Sequence, residues 1–403
     1  MKVVSGLRVL DLGSFITAPY AAMLLAELGA DVVKVERPDG GDPFRRFQGG
    51  LYGPQFQAHN RGKRSLALDF SKPAGREVLL ALAARADVMV TNFRPGVAER
   101  LGIGWEILHA HNPRLILCEV TGFGRDGPYS RRPAYDTVGQ AIGGMAALMR
   151  EFSEPRVPGP ALADAATGLF ACYGIMGALL ERASRGIGRL VEVNMLDATI
   201  ALMTDAVSQY AATGVSIGTY TRAALSQAYV LTCSDNKQIG LHLSSPEKFW
   251  QALLRAVDRP EWNDDPRFST REGRVAQYGE LAHALAKVFA ERSRREWTVR
   301  LEEADVPFAP VHEIQDVESD PQVQHLGTVY ELDHPIHGAV RAPRRPIWYD
   351  GQREMELRPP PMLGEHSADI LRELGMEDRL PVLRAMGLVQ GFEDPPASAV
   401  ADG

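Results

Sequence analysis

The stretch RVLDLGSFITAPYAAMLLAELGADVVKVERP, Arg8 to Pro38, decides the fold. A short apolar run, RVLDLG, is followed by AAMLLAELGA, whose apolar spacing is helical and which closes on a glycine. A second apolar run, DVVKVE, comes directly after it. Strand, helix and strand joined this closely imply a right-handed crossover between parallel neighbours. Outward from there the alternation continues. SLALDF, ADVMVTNF and RLILCEVTG read as strands, GREVLLALAARA and GWEILHAHN as the helices between them, and RLVEVNM as one strand more. The expected class is α/β, a Rossmann-like parallel sheet covered on both faces.

The texture changes near residue 215. QAYVLTCSD and KQIGLHLS read as a hairpin turning at Asn236. PEKFWQALLRAV, ELAHALAKVFAERS and REWTVRLEEA then read as amphipathic helices of a smaller α+β unit. The expected organisation is the first part of a large Rossmann-like domain over residues 1–200, a linker at 201–220 and a small α+β domain at 221–310. A second linker at 311–325 leads to a return segment, 326–403, that completes the large domain and ends in a disordered tail, EDPPASAVADG.

Composition narrows the function. At 403 residues, 45% hydrophobic and 24% charged, the chain is ordinary for a soluble globular protein. A net charge of -7 argues against a nucleic-acid partner. The start, MKVVSGLRVLDLG, lacks the long apolar core of a signal peptide. The run Leu169 to Leu180 is shorter than a bilayer span. Three scattered cysteines, Cys118, Cys172 and Cys233, suit a reducing compartment. A cytoplasmic location without a membrane partner is expected.

Candidate chemistry is sparse. Glu36 ends the second strand where a dinucleotide site places its ribose-binding acid, but only Gly13 of the required glycines is present. The loop NRGKRS places Arg61, Lys63 and Arg64 before a strand, either as a solvated basic loop or as a phosphate seat. His334 and His337 have no third ligand at metal-site spacing, so no metal is expected. No GxSxG occurs. In PGPALADAATG a single acid, Asp164, stands where a helix begins. It reads as an N-cap or as a nucleophile. A carboxylate is ionised near neutrality without a base partner, and attacks only an activated acyl group such as a thioester.

Seven stretches spread over the chain resemble the class III CoA-transferases, formyl-CoA transferase and carnitine CoA-transferase among them. They are VLDLGSFITAPYAAMLLAELGADVVKVERPDGGDPFR, HNRGKRSLALDF, ADVMVTNFRPGVAERLGIG, NPRLILCEVTGFGRDGPY, PAYDTVGQAIGG, VEVNMLDA and PPPMLGEHSADILRELG. The resemblance implies that Asp164, in DAATG, is the nucleophile. CoA would pass from an acyl-CoA donor to a free carboxylic acid through aspartyl anhydride and aspartyl-CoA thioester intermediates. It further implies an interlocked homodimer, with CoA thioesters as substrates and no tightly bound cofactor.

Family CoA contacts fall on Phe15, Ile16 and Thr17, on Arg37, Leu68 and Ser71, on Asn92, Phe93, Arg100 and Leu101, and on Tyr135, Asp136 and Met195. Arg61 and Lys63 take a supporting role. Formyl-CoA transferase carries Gln and Lys where Ile16 and Ser71 stand here, and a glycine run that residues 220–250 lack, which argues against formate or oxalate as the acid. The alternatives are an acyl-CoA racemase, whose His-Asp pair is replaced here by Tyr135-Asp136, and a non-catalytic CoA-binding protein. Arg131, Arg132 and Arg222 are candidates to reach a second carboxylate, as in a succinyl-type diacid.

Overall fold

The structure is a computed structural model and describes residues 2–149, 155–353 and 357–392. The tail from Glu393, expected to be disordered, lies outside the described residues. The chain divides into two compact units. One takes the described residues of Met1–Ala146, Pro155–Thr204 and His325–Gly403, the other those of Ala147–Glu154 and Asp205–Gln324.

In the first unit, β1 (Arg8–Asp11), β2 (Asp31–Glu36), β3 (Lys63–Leu68), β4 (Val88–Thr91), β5 (Ile116–Thr121) and β6 (Leu190–Asn194) pair in parallel. Their residues alternate between two cores. Leu10, Val33, Leu66 and Met89 enter one, while Val9, Val32, Val88 and Ile116 enter the other. A sheet covered on both faces explains the near-continuous apolar runs in the sequence.

The second unit carries β7 (Ala228–Thr232), β8 (Gln238–His242) and β9 (Phe308–Pro310), all antiparallel. Asn236 sits in the left-handed region within the β7–β8 turn, as a tight turn there requires. Trp250, Leu285 and Trp297, from three helices, are buried in this unit's core.

The chain then supplies the first unit with a hairpin, β10 (Val329–His334) and β11 (Gly338–Pro343), and with β12 (Val389–Gln390). Antiparallel pairing of β12 with β3 completes the order β12-β3-β2-β1-β4-β5-β6. The order reverses between β1 and β4. There the connections leaving the two strand ends part in opposite directions, and the crevice they leave is where open α/β sheets hold their ligands.

One long helix, Leu162–Arg185, packs against the helix Thr17–Glu27. Gly168 makes this possible, since a Cβ there would stand 2.9 Å from the Thr17 carbonyl oxygen and 2.9 Å from the Tyr20 ring. By length and composition this helix could cross a membrane, a point the shorter apolar run had concealed. Here Ala163, Ala166, Ala171 and Ile175 are buried in the unit.

The basic loop follows neither of its expected fates. Arg61 pairs with Glu27, and Arg64 with Asp31 and Glu373. Lys63 is fully buried and donates to Asp11 at 2.7 Å, to the Pro19 carbonyl and to Asn60. Its three cations serve internal ion pairs, because strand β3 turns them toward acids on β1, β2 and neighbouring helices.

Candidate active site

The crevice at the β1/β4 reversal is a cleft of about 310 Å³. Its walls come from the turn after β1 (Ser14 to Thr17), the segment after β4 (Asn92 to Pro95) and the segment after β5, which brings Gly122, Ser130, Arg132 and Tyr135. Met195 after β6 and Asp164 from the long helix complete it.

Asp164 is not the N-cap. The helix begins at Leu162, with Ala161 in the cap position and no side-chain cap of its own. Asp136 supplies the cap from another helix, its Oδ1 accepting from Ala163 N at 2.8 Å and from Asp164 N at 3.2 Å. Its Oδ2 accepts from Gln140 Nε2 at 2.6 Å, which fixes the carboxylate. Among the described residues the Asp164 carboxylate has no hydrogen-bond partner of its own. Burial, and then the negative charge of Asp136, push its pKa from 3.8 up to about 7. The sequence reading has it ionised at neutrality; burial first, and the Asp136 carboxylate second, change that.

The turn facing Asp164 is held in an unusual shape. Phe15 has φ +63°, a left-handed conformation that costs a non-glycine residue roughly 1–2 kcal/mol. Side chains brought in from elsewhere hold it. Asn92 Oδ1 accepts from Ser14 N at 2.9 Å, while its Nδ2 donates to Ser14 O and Thr17 Oγ1. Asp42 Oδ1 accepts from Phe15 N at 3.2 Å. The Phe15 ring meets Phe44 and Tyr135 edge-on, with centroids 5.2 and 5.9 Å away.

Behind this turn lies a buried charged cage. Lys34 Nζ donates to Gly13 O at 2.9 Å and pairs with Asp42 at 2.9 Å. Lys63 holds Asp11, whose Oδ1 accepts from Gly13 N. Burial alone would raise the Asp11 carboxyl, but Lys34, Lys63 and the Gly13 amide hold it below its usual range. Burial brings Lys63 down to about 8.

Chemically, the cleft offers one unpaired carboxylate, amide N–H groups of Ile16 and Thr17 without acceptors among the described residues, and two arginines, Arg94 and Arg132. Neither arginine has an acidic partner among the described residues, and the Arg132 guanidinium lies 3.9 Å above the Tyr129 ring. No cluster of three or more metal-ligating side chains occurs among the described residues. Such a site suits a carboxylate acting on an anionic, activated substrate.

A family model for CoA-transferase family III matches residues 4–367. The chain belongs to CoA-transferase family III. It is an enzyme of that class. The chain is 33% identical over 98% of its length to a mouse succinyl-CoA:glutarate CoA-transferase, covering 92% of that protein. It is 30% identical over 93% of its length to a formyl-CoA:oxalate CoA-transferase of Escherichia coli O6:H1, covering 96% of it. A crystal structure of a CAIB/BAIF family protein from Brucella suis superposes with a TM-score of 0.80 at 33% identity, covering 92% of this chain and 98% of that one.

Of the residues picked out by resemblance to this CoA-transferase family, Phe15, Ile16, Thr17, Asn92, Phe93, Tyr135, Asp164 and Met195 all line the cleft. Asp136 stands behind Asp164 as the cap. The remainder do not line it. Arg37, beyond the end of β2, is exposed and makes a two-point pair with Asp39. Leu68 is wholly buried at the end of β3, and Ser71 Oγ donates to Asp69 at 2.6 Å. Arg100 ends the short helix Val97–Arg100, and Leu101 packs against the core. Sequence reasoning missed Asp42, Arg94 and Ser130. Asp42 announces itself only as the cap of the turn Pro43–Arg46, where its side chain accepts from Phe44 N. Arg222, a candidate for a distant carboxylate, belongs to the other unit, where it pairs with Asp205.

Proposed function

We propose that this CoA-transferase works through covalent attachment to Asp164, moving CoA from an acyl-CoA donor to a free carboxylic acid. The observation that carries the reading is the unpaired, half-buried Asp164 carboxylate at the cleft, with nucleophile-grade basicity for a carboxylate. In the first step an Asp164 oxygen attacks the thioester carbonyl and expels CoA thiolate, leaving a mixed anhydride. The thiolate attacks the aspartyl carbonyl of that anhydride, releasing the donor acid and leaving aspartyl-CoA. The acceptor carboxylate attacks this thioester and expels CoA thiolate again. The thiolate then attacks the acceptor's own carbonyl in the second anhydride, yielding the new acyl-CoA and regenerating Asp164. Each attacking group is an anion, so no general base is needed. Unpaired amides at the Phe15 turn suit the oxyanions that develop.

The CoA arm would follow Phe15, Ile16 and Thr17, with Asn92, Phe93, Tyr135, Asp136 and Met195 around the thioester. Arg37, Ser71, Arg100 and Leu101 would meet its nucleotide end, whereas Leu68, wholly buried in the core, would not touch it. The strand order, running outward both ways from β1, supports a Rossmann-like description of the large unit. The mouse relative's named substrates, together with Arg94 and Arg132 in the cleft wall, support a dicarboxylic acyl group. A homodimer is supported by an apolar face left open on the long helix, where Leu169, Tyr173 and Leu180 are exposed, Tyr173 by 77%. Three buried, unbridged thiols suit a cytoplasmic enzyme.

The test is chemical trapping. The protein is incubated with succinyl-CoA or glutaryl-CoA, quenched with hydroxylamine, and its peptides are mapped by mass spectrometry. A hydroxamate at Asp164 is expected. CoA binding without any adduct would overturn the covalent reading, and deuterium exchange at the acyl α-carbon in D₂O would then point to a racemase.

A further inference from the structure

We infer that Asp42 is a positioning residue for the CoA site, acting through Phe15. The inference rests on the reading that the cleft takes CoA along the Phe15 turn, and not on covalent chemistry at Asp164. Asp42 is fully buried, and it divides its carboxylate between two tasks. Oδ1 accepts from the amides of Phe15 and Phe44, at 3.2 and 2.9 Å. Oδ2 faces Lys34 at 2.9 Å. Lys34 in turn donates to the Gly13 carbonyl, two residues before Phe15. The pair therefore grips the turn from below on both sides of Ser14, one point through a donor and one through an acceptor.

What the grip maintains is the left-handed backbone at Phe15. Few side chains adopt that conformation unaided. Relaxed to an ordinary backbone, residue 15 would carry its ring away from Phe44 and Tyr135. Tyr135 immediately precedes Asp136, whose carboxylate starts the Asp164 helix. The wall facing the reacting carboxylate would lose its shape while the helix bearing that carboxylate stayed in place. A buried charge pair is a weak source of stability, since its desolvation offsets most of its attraction. Its use here is to hold one backbone shape.

The test is a coupling experiment in the full-length protein, read as the dissociation constant of CoA by calorimetry. Asp42→Ala, which removes the acceptor for Phe15 N, is made with Phe15 present and again in a Phe15→Gly background, where glycine adopts the left-handed shape without help. The expected result is a loss of CoA affinity of about tenfold with Phe15 and under twofold with glycine, the two sets having matched melting temperatures. An equal loss in both backgrounds, or none in either, overturns the inference. If D42A does not fold, Phe15→Asn and Phe15→Val ask the same question. Asn tolerates the left-handed region and Val does not. Val should then cost at least tenfold more affinity than Asn, and parity between them overturns the inference. Because binding is the readout, a protein that binds CoA yet forms no Asp164 adduct refutes the covalent reading and leaves this one standing on its own result.

Discussion

Replacing Asp136 by Asn should move the pH dependence of the reaction to lower pH. In the proposed mechanism Asp164 must be ionised to attack, and burial together with Asp136 raises its pKa from 3.8 to about 7. The rate constant kcat/KM reports the free enzyme. It should fall tenfold for each pH unit below about 6.5 and reach a plateau near pH 8. Burial is the larger cause of the raised pKa and the Asp136 charge the smaller. A neighbouring charge of this kind is worth about 1–3 pH units. As the lesser cause, it should account for about one, which places the D136N midpoint near pH 6.

The substitution is chosen because the Asn side-chain oxygen can still accept from Ala163 N and Asp164 N, so the helix start survives. The charge is lost, and the Gln140 amide turns over so that its oxygen accepts from the new Asn Nδ2. The assay is initial-rate transfer from succinyl-CoA to glutarate between pH 5 and 9, with both thioesters quantified by chromatography. At pH 6 the variant should outperform the parent by several-fold, and at pH 8.5 the two should agree within a factor of about three. A midpoint unchanged by D136N, or a parent profile already flat at pH 5.5, would falsify the assignment of Asp164 as a nucleophile tuned by Asp136.

Further outcomes follow from the same geometry. Asp164→Asn should abolish transfer yet stabilise the fold at pH 8 by on the order of 2 kcal/mol, half the full linkage value because the group is partly exposed. The sign is fixed by the raised pKa. As pH climbs from 4 to 7 the unfolded chain releases this proton and the native state keeps it, so the parent loses stability over that window and the Asn variant does not. Urea melts at pH 4 and pH 8 check it, and equal differences at both would refute it. Gly168→Ala should cost about 1–3 kcal/mol in the same melts, because the new methyl meets the Thr17 carbonyl and the Tyr20 ring, each 2.9 Å away. Arg132→Ala should raise KM for glutarate about tenfold, the worth of one charged hydrogen bond. Its KM for butyrate should change less than twofold, and equal changes for the two acids would remove Arg132 from acid recognition.

Much of the sheet is legible in the sequence because each strand announces itself locally. RVLDLG, DVVKVE and RLILCEVTG are mostly apolar because both faces are covered, and the buried charges among them, Asp11, Lys34 and Glu36, are paired internally. The helix after β1 was read from Ala21, but begins at Thr17. Pro19 falls in its first turn, where a proline is tolerated because its missing N–H has no partner to lose. The candidate site divides along a similar line. Asp164 was legible as an isolated acid at a helix start, but the group that caps that start is Asp136, 28 residues earlier. Nothing local to SFIT signals a left-handed Phe15, because the cause lies 27 residues away in Asp42 and 78 from Ser14 in Asn92. The basic loop misled for the same reason: its acids are on other strands and on helices distant in sequence.

The division has a physical logic. Burial preferences act residue by residue, so periodicity reveals them. A reacting carboxylate at the wrong pKa and a backbone in the wrong region are both unfavourable locally, and neither persists unless distant groups impose it. Asp136 imposes part of the first, while Asp42 and Asn92 impose the second. In this cleft the features least predictable from their own neighbours in sequence are the ones that bear on the chemistry. The raised Asp164 pKa and the left-handed Phe15 turn face the same space from opposite walls, each held by a side chain brought there by the sheet order. Moving β4 out of its place beside β1 would separate Asn92 from Ser14 and dismantle the turn, even with every cleft residue still present in the chain.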